Sequence, residues 1–176
     1  MIGYALCGSF CTHARSLAVL RTLVDAGHEI QPIVSEIVYK SDTRFGRAAD
    51  LIETLETLCG RKVIHTVVDA EPLGPKTPLD LLVIAPCTGN TLAKMARGIT
   101  DTSVTMAAKA HLRCDRPLIL GLATNDATSA NLQNIAILHT RKHVHFVPLL
   151  PDDPVKKPYS LVCAFEEIPK MVEGIL

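Results

Sequence analysis

The chain contains no tryptophan, and aromatic residues make up only 4% of its 176 residues. Single-stranded nucleic acids are gripped by stacking on exposed rings, so this small supply argues against such a platform. Neither sign of charge is in excess: lysine plus arginine number 18 and aspartate plus glutamate 18. No net field therefore draws nucleic acid or an anionic membrane. Long apolar runs are missing too. Among the longest is the stretch ending at Pro86, which Asp80 interrupts and which is too short to cross a bilayer. Met1–Cys7 has no charged leader and runs straight into Gly8, unlike a signal peptide. Six cysteines (Cys7, Cys11, Cys59, Cys87, Cys114, Cys163) include no CxxC pair. That scatter predicts free thiols in a reducing cytoplasm, with neither a disulfide framework nor a zinc site, and no metal is expected. GxGxxG and GxxxxGK[ST] are both absent, which weakens dinucleotide and nucleoside-triphosphate readings.

What is present is a regular alternation of short apolar runs with longer stretches of helical period, the pattern of βα units. Ile2–Cys7 predicts a first strand. Leu17, Leu20 and Val24 predict a helix over Thr12–Ala26, stopped by Gly27. Glu29–Val34 reads as strand two. A helix over Ala48–Cys59 follows, capped by Asp42 or Thr43 and ended by Gly60. Lys62–Val68 reads as strand three and the proline-rich Glu71–Pro78 as a loop. Leu81–Ala85 is almost wholly apolar, as a strand covered on both faces must be. Helices are expected over Asn90–Arg97 and Ser103–Leu112, a strand over Pro117–Leu122, a helix over Ala127–His139 and a strand over His143–Pro148. Pro151–Pro158 reads as an extended segment before a terminal helix near Glu166–Gly174. The sum is a single α/β domain over residues 1–176: a doubly wound, Rossmann-like or flavodoxin-like parallel sheet of six strands with helices on both faces. Its switch point should lie beside strand one, next to the Leu81–Ala85 strand.

Three loops should meet at the carboxyl edge of such a sheet. Gly8, Ser9 and Phe10 lie in the first, where a glycine admits backbone to a phosphate and a helix N-terminus can bind its oxygens. Ser35 follows strand two and can add a hydroxyl. Pro86, Cys87, Thr88, Gly89, Asn90 and Thr91 follow the buried strand. A structural cap needs one such residue, so six in a row favour a ligand. His13 stands in the first helix, within reach of an anion. Lys109, Arg113, Lys94 and Arg97 are candidate carboxylate clamps, although a solvated face suits Lys94 and Arg97 better, and Arg44 is similarly placed. Asp152-Asp153 with Lys156-Lys157 reads as a solvated loop that meets a neighbouring subunit. His139, His143 and His145 read as surface or packing residues, and Cys87 has no evident base.

Residues 86–101, PCTGNTLAKMARGITD, resemble the flavin-binding segment of the flavin-containing cysteine decarboxylases and flavin prenyltransferases. Further blocks resemble the B subunits of dipicolinate synthases, a family of sporulation flavoproteins. These are GSFCT (8–12), DTRFG (42–46), AEPLGPK (70–76), PLD (78–80), IAPCTGNTLAK (84–94), MAAKAHLR (106–113), ATND (123–126) and DDPVKKPYS (152–160). They run through almost the whole chain in order. The later ones are specific to those B subunits, and the chain stops at Leu176, short of the carboxyl tail expected of them. The resemblance implies FMN, with its phosphate at Gly8, Ser9 and Ser35 and its ring and ribityl chain along Pro86–Thr91. Asn125 occupies the asparagine of the substrate segment.

It further implies a small dicarboxylate substrate, oxidised from a dihydrodipicolinate to dipicolinate, and a partner, the A subunit of dipicolinate synthase, that brings NAD(P). A homo-oligomer in the cytoplasm of a sporulating mother cell completes the expectation. The decarboxylase histidine eight residues before Asp80 is Pro72 here, and the methionine-rich clamp is replaced by Asp126–Ala130, so cysteine decarboxylation is poorly matched. His13, Asn125 and Lys109 remain the catalytic candidates. A partner-stabilising subunit without flavin, or a flavin-dependent decarboxylase or prenyltransferase, stays open as an alternative.

Overall fold

A computed structural model describes residues 1–176. Four strands form the parallel body of the sheet: β1 (Ile2–Leu6), β2 (Ile30–Val34), β3 (Leu81–Cys87) and β4 (Leu118–Thr124), in the order β2-β1-β3-β4. β1 and β3 are buried along their whole length, because helices cover both faces. Side chains alternate across the sheet, so Ile2, Tyr4 and Leu6 enter one apolar cluster while Ala5 and Cys7 enter the other. The first cluster is closed by α1 (His13–Asp25), α3 (Ala48–Cys59) and α8 (Ile168–Ile175), through Leu20, Leu55 and Val172. The second is closed by α5 (Gly89–Ala96), α6 (Ser103–Leu112) and α7 (Leu132–His139), through Leu92, Val104 and Leu138. Burying each such leucine or valine contributes roughly 1.5–3 kcal/mol, which makes these stripes the source of the layered packing.

The expected α/β architecture stands, and β1 lies next to β3 as the switch point requires. Several elements differ from expectation. Lys62–Val68 forms no strand: only Ile64 bridges to β2, through Ile33. The apolar run is cut at Thr66, whose side chain caps the short α4 (Val67–Ala70) by accepting from Asp69 N at 3.1 Å. A second short helix, α2 (Glu36–Lys40), follows β2. α3 has the expected bounds, and Asp42 Oδ1 does accept from Ala48 N at 2.8 Å.

The sheet has seven strands rather than six and is mixed. Pro151–Pro158 belongs to an antiparallel hairpin, β6 (Leu149–Asp153) and β7 (Lys157–Cys163). β4 changes partner along one edge. Its first half, from Leu118 to Leu120, pairs with β5 (Val144–Phe146), and its end, Ala123–Thr124, pairs with β7. The hairpin is thereby carried past the carboxyl edge, where it becomes a wall. α7 starts at Leu132 rather than at Ala127, because residues 126–131 are held in turns by their own polar side chains. No helix is long and apolar enough to cross a membrane.

Candidate functional site

A cleft of about 730 Å³ opens at the carboxyl edge of the sheet. The loop after β1 supplies Gly8, Ser9 and Phe10. The loop after β3 supplies Thr88, Gly89 and Asn90, the end of β4 leads to Asn125, and the hairpin adds Asp152, Lys157 and Ser160. Arg15 and Arg44 line it as well. Arg15 is paired with Glu166 at 3.1 Å and Lys157 with Asp152 at 2.9 Å, which leaves Arg44 as the cation of the cleft without a carboxylate partner, a modest bias toward an anionic ligand.

The first loop is a tight turn: Thr12 donates both N–H (3.0 Å) and Oγ1–H (2.8 Å) to the Ser9 carbonyl. That bonding holds Ser9 and Phe10 at the rim. The loop after β3 is stitched to β1 by a chain of hydroxyls. Thr88 Oγ1 donates to Thr91 Oγ1 (3.1 Å), which in turn donates to Cys7 Sγ (3.3 Å). Thr88 also caps α5 by accepting from Thr91 N at 3.3 Å. Gly89 N and Asn90 N lie among the first N–H groups of α5, which have no acceptor within the helix.

Gly89 is required by close approach. A Cβ there would stand 2.5 Å from both Asn131 Nδ2 and Thr124 Oγ1. Those atoms are fixed, since both donate to Asp126 Oδ1, Thr124 at 2.5 Å and Asn131 at 2.8 Å. The Thr124 hydroxyl bond, with that of Asn131, holds the Asp126 carboxyl below the usual carboxylate range. This knot locks the turn that carries Asn125 beneath the start of α5.

Of the residues singled out from the sequence, Gly8, Ser9, Phe10, Thr88, Gly89, Asn90 and Asn125 come together at the cleft. Pro86, Cys87 and Thr91 are buried beneath its floor. Ser35 is also buried, bound to the end of β1 through its N–H to the Leu6 carbonyl at 3.0 Å, and its Oγ has no partner within the protein. It does not line the cleft, although Ile37, two residues on, stands 3.2 Å from where a Cβ on Gly8 would lie.

His13 is turned away from the cleft. Its Nε2 lies 2.8 Å from the Cys7 carbonyl, and its ring enters an adjoining cavity of about 290 Å³ with Phe10, Val38 and Leu51. Burial pushes its pKa down. Lys109 lies elsewhere: α6 starts beside Val34, where Ser103 Oγ donates to the Val34 carbonyl at 2.6 Å, and runs toward the amino edge, with Lys109 exposed two turns along. Lys94 pairs with Asp101 (2.8 Å) and Arg113 with Glu71 (3.7 Å), away from the cleft. Burial pushes the Cys7 thiol up to about 11 and raises Cys87 well above its ordinary value, so neither is a thiolate at neutral pH. His143 pairs with Asp115 at 3.0 Å, and the His139 ring packs on Phe146.

Sequence reasoning missed Arg15 and Ser160 and placed Asp152 and Lys157 in a solvated loop. No alternation marked the strand, since its buried positions Ser160 and Cys163 are three apart, and three prolines argued against a hairpin.

The flavoprotein family model matches residues 1–176. The dipicolinate synthase B subunit of Bacillus subtilis (strain 168) is 44% identical over 175 residues, which is 99% of this chain and 88% of that protein. The crystal structure of the dipicolinate synthase B subunit from Bacillus halodurans C superposes with a TM-score of 0.89 at 40% identity, covering 99% of this chain and 89% of that one. The FMN-dependent cysteine decarboxylase SpaF shares the fold, with a TM-score of 0.70 at 21% identity over 97% of this chain and 93% of its own.

Proposed function

The chain belongs to the flavoprotein family and is a homologue of the dipicolinate synthase B subunit; from that premise we propose that it binds FMN in the carboxyl-edge cleft and takes part in oxidising a dihydrodipicolinate to dipicolinate. The observation that carries this reading is the convergence of Gly8, Ser9, Thr88, Gly89 and Asn90 on one cleft. The orphaned Ser35 hydroxyl fits a phosphate contact, because a buried hydroxyl without a partner costs free energy unless a ligand satisfies it. In this assignment Gly8, Ser9 and Ser35 hold the phosphate, while Thr88, Gly89 and Asn90 line the ribityl chain and ring. FMN, when bound, supplies a two-electron acceptor. The protein's own groups would orient the ligand, with Arg44 free to attract a carboxylate and Lys157 held beside Asp152 at 2.9 Å.

Aromatisation removes one hydride equivalent and one proton from the dihydro ring. A nicotinamide cofactor on a second subunit would supply the final acceptor for the hydride equivalent, and the proton would pass to solvent. Association with that subunit, and of copies of this chain with each other, is part of the same reading. Leu150, Val155 and Tyr159 of the hairpin are exposed and available for such contacts.

Purified protein supplemented with FMN is expected to retain a yellow, bound flavin through gel filtration. With the partner subunit it should raise the rate of dipicolinate formation; an equal rate without it rejects a catalytic role. A partner-stabilising role is favoured by one observation, that His13 is turned out of the cleft. A colourless protein that still raises the partner's activity would establish that role instead.

Ser35→Ala separates ligand binding from folding. Removing a hydroxyl that has no partner in the free protein should leave stability unchanged or raise it by up to about 1 kcal/mol. FMN affinity should fall several-fold. Urea unfolding and flavin fluorescence titration measure the two separately, and unchanged affinity would remove Ser35 from the phosphate site.

A further inference from the structure

Beside the cleft lies the second cavity, of about 290 Å³, bordered by the start of α1, by residues of the segment 41–47 and by the start of α3. Its walls are mostly apolar, with Leu17, Val38, Leu51 and the rings of Phe10 and Phe45 among them. Phe10, Cys11 and Phe45 also line the cleft, so they form the partition between the two spaces. Phe45 is 53% exposed, with the Arg44 guanidinium over its ring at 4.8 Å. A ring so placed has apolar surface left to bury.

Charge in this cavity is already answered. Arg47 Nε donates to Asp50 Oδ2 at 2.9 Å, and the Ala48 N–H at the start of α3 goes to Asp42 Oδ1 at 2.8 Å. Thr54 Oγ1 donates to the Asp50 carbonyl at 2.8 Å, and Thr43 Oγ1 accepts from Phe45 N at 3.1 Å. Ser41 is half-buried, and its hydroxyl can turn to either a donor or an acceptor. His13 differs from all of these. It is 8% exposed, and its Nε2, 2.8 Å from the Cys7 carbonyl, carries the ring proton because a carbonyl can only accept. Nδ1 is then a lone-pair acceptor without a partner in the protein. Unlike Nδ1 of His111 it is not sealed in the core, and the space its ring lines is this cavity. Burial lowers the pKa of the ring, which keeps the lone pair free at neutral pH.

We infer that this cavity is a binding site, separate from the cleft, for a neutral bicyclic aromatic molecule that donates one N–H or O–H to His13 Nδ1. Volume sets the size: a dry cavity of roughly 150 Å³ holds one benzene ring, and this one, at about 290 Å³, has room for two fused rings. The paired charges set neutrality. An ionised ligand would give up its hydration and meet no free opposite charge. The lone pair sets the polarity, because a ligand without a donor would bury that acceptor unpaired. Both anions of the proposed function, the flavin phosphate and the dicarboxylate, are poorly matched to this space, so the site is an addition to that reading.

Indole and benzofuran have nearly the same shape, but only indole carries an N–H. The chain has no tryptophan, so indole fluorescence reports its own binding to the full chain, and benzofuran is measured by displacing it. Comparing the ratio of the two affinities between variants cancels the difference in their hydration. His13→Gln can keep a donor to the Cys7 carbonyl near the place of Nε2 but has no acceptor in the place of Nδ1. The ratio should shift away from indole by about fivefold or more, the size of one hydrogen bond lost. Ala14→Phe brings a ring into the cavity from an exposed position of α1 and should abolish binding of both probes.

Indole that fails to bind the unaltered chain overturns the inference. A ratio unchanged in His13→Gln overturns it too, since the ligand then makes no use of the acceptor. Indole held as tightly by Ala14→Phe as by the parent places the probe elsewhere and has the same consequence. Saturating FMN, followed by titration calorimetry, should leave the affinity for indole within about twofold. Competition between the two would put the benzenoid edge of the flavin in this cavity, which overturns a separate site and leaves the flavin reading standing.

Discussion

Gly89→Ala is expected to lower the affinity for FMN by at least about tenfold and to cost about 1–3 kcal/mol of stability, the range for forcing an extra carbon into a packed site. The added Cβ would come within 2.5 Å of Thr124 Oγ1 and Asn131 Nδ2. Neither atom yields cheaply. Both donate to Asp126 Oδ1, and Asn131 Oδ1 in turn accepts from Asn134 Nδ2 at 2.9 Å, so relief means breaking a four-residue polar knot. Alternatively the start of α5 lifts, and Thr88 and Asn90 leave their places on the cleft wall. Either route damages the floor on which the flavin would lie. Gly174→Ala is the matching control, because a Cβ there meets nothing within 4 Å. Flavin fluorescence titration and urea unfolding read the two effects. Affinity for FMN retained in Gly89→Ala would place the flavin elsewhere or nowhere.

The same glycine shows why part of this site is legible in the sequence. Glycine and hydroxyl residues after a buried strand have few structural uses, so Thr88-Gly89-Asn90 announces a loop that something approaches closely. The pattern does not say what approaches Gly89: the contacts come from Thr124 and Asn131, and Asn131 lies in a stretch whose periodicity predicts helix. Propensity favours a helix from Ala127, yet Asp126 captures the side chains on either side of that turn and delays the helix to Leu132. Polar side chains that bond locally compete with a helix in this way.

The expected third strand fails for a related reason. Val63, Ile64, Val67 and Val68 make an apolar run, but Thr66 divides it with a cap, leaving Val68 80% exposed and a single bridge at Ile64. The hairpin escapes notice because proline argues against strands. Here Pro151 sits on the edge strand β6 and Pro158 on the part of β7 beyond its pairing with β4, where missing N–H donors can be tolerated. The parallel core is easier to read, since Leu81–Ala85 and Ile2–Cys7 have no stable place except between two layers of helices.

Acid should destabilise this fold well above the pH at which carboxylates titrate, and two buried histidines are the cause. His111 is fully buried, its Nε2 lies 2.6 Å from the Pro117 carbonyl, and its Nδ1 has no partner. Nε2 therefore carries the proton, and a second proton at Nδ1 would create a charge with nothing to receive it. His13 is buried likewise, with Nε2 against the Cys7 carbonyl. Burial is the leading cause that lowers both values from the ordinary 6.5. In the unfolded chain both rings take up protons as pH falls through about 6.5, whereas in the folded chain they resist until lower pH. The unfolded state then binds more protons, so their contribution is complete above that pH and declines as acid is added.

Urea unfolding midpoints should accordingly fall between about pH 7.5 and about pH 5.5, the interval that brackets the ordinary histidine value. Glutamine can keep a donor near the position of histidine Nε2 but cannot charge, so the double variant His13→Gln, His111→Gln should show a much flatter profile. A double variant that loses stability with acid as steeply as the parent would show that the proton uptake lies elsewhere. Because the folded rings stay neutral through this interval, the His13 bond to Cys7, which fixes the end of β1 from which Gly8 and Ser9 extend into the cleft, persists, and retention of FMN by the folded parent should stay level while its urea midpoint falls.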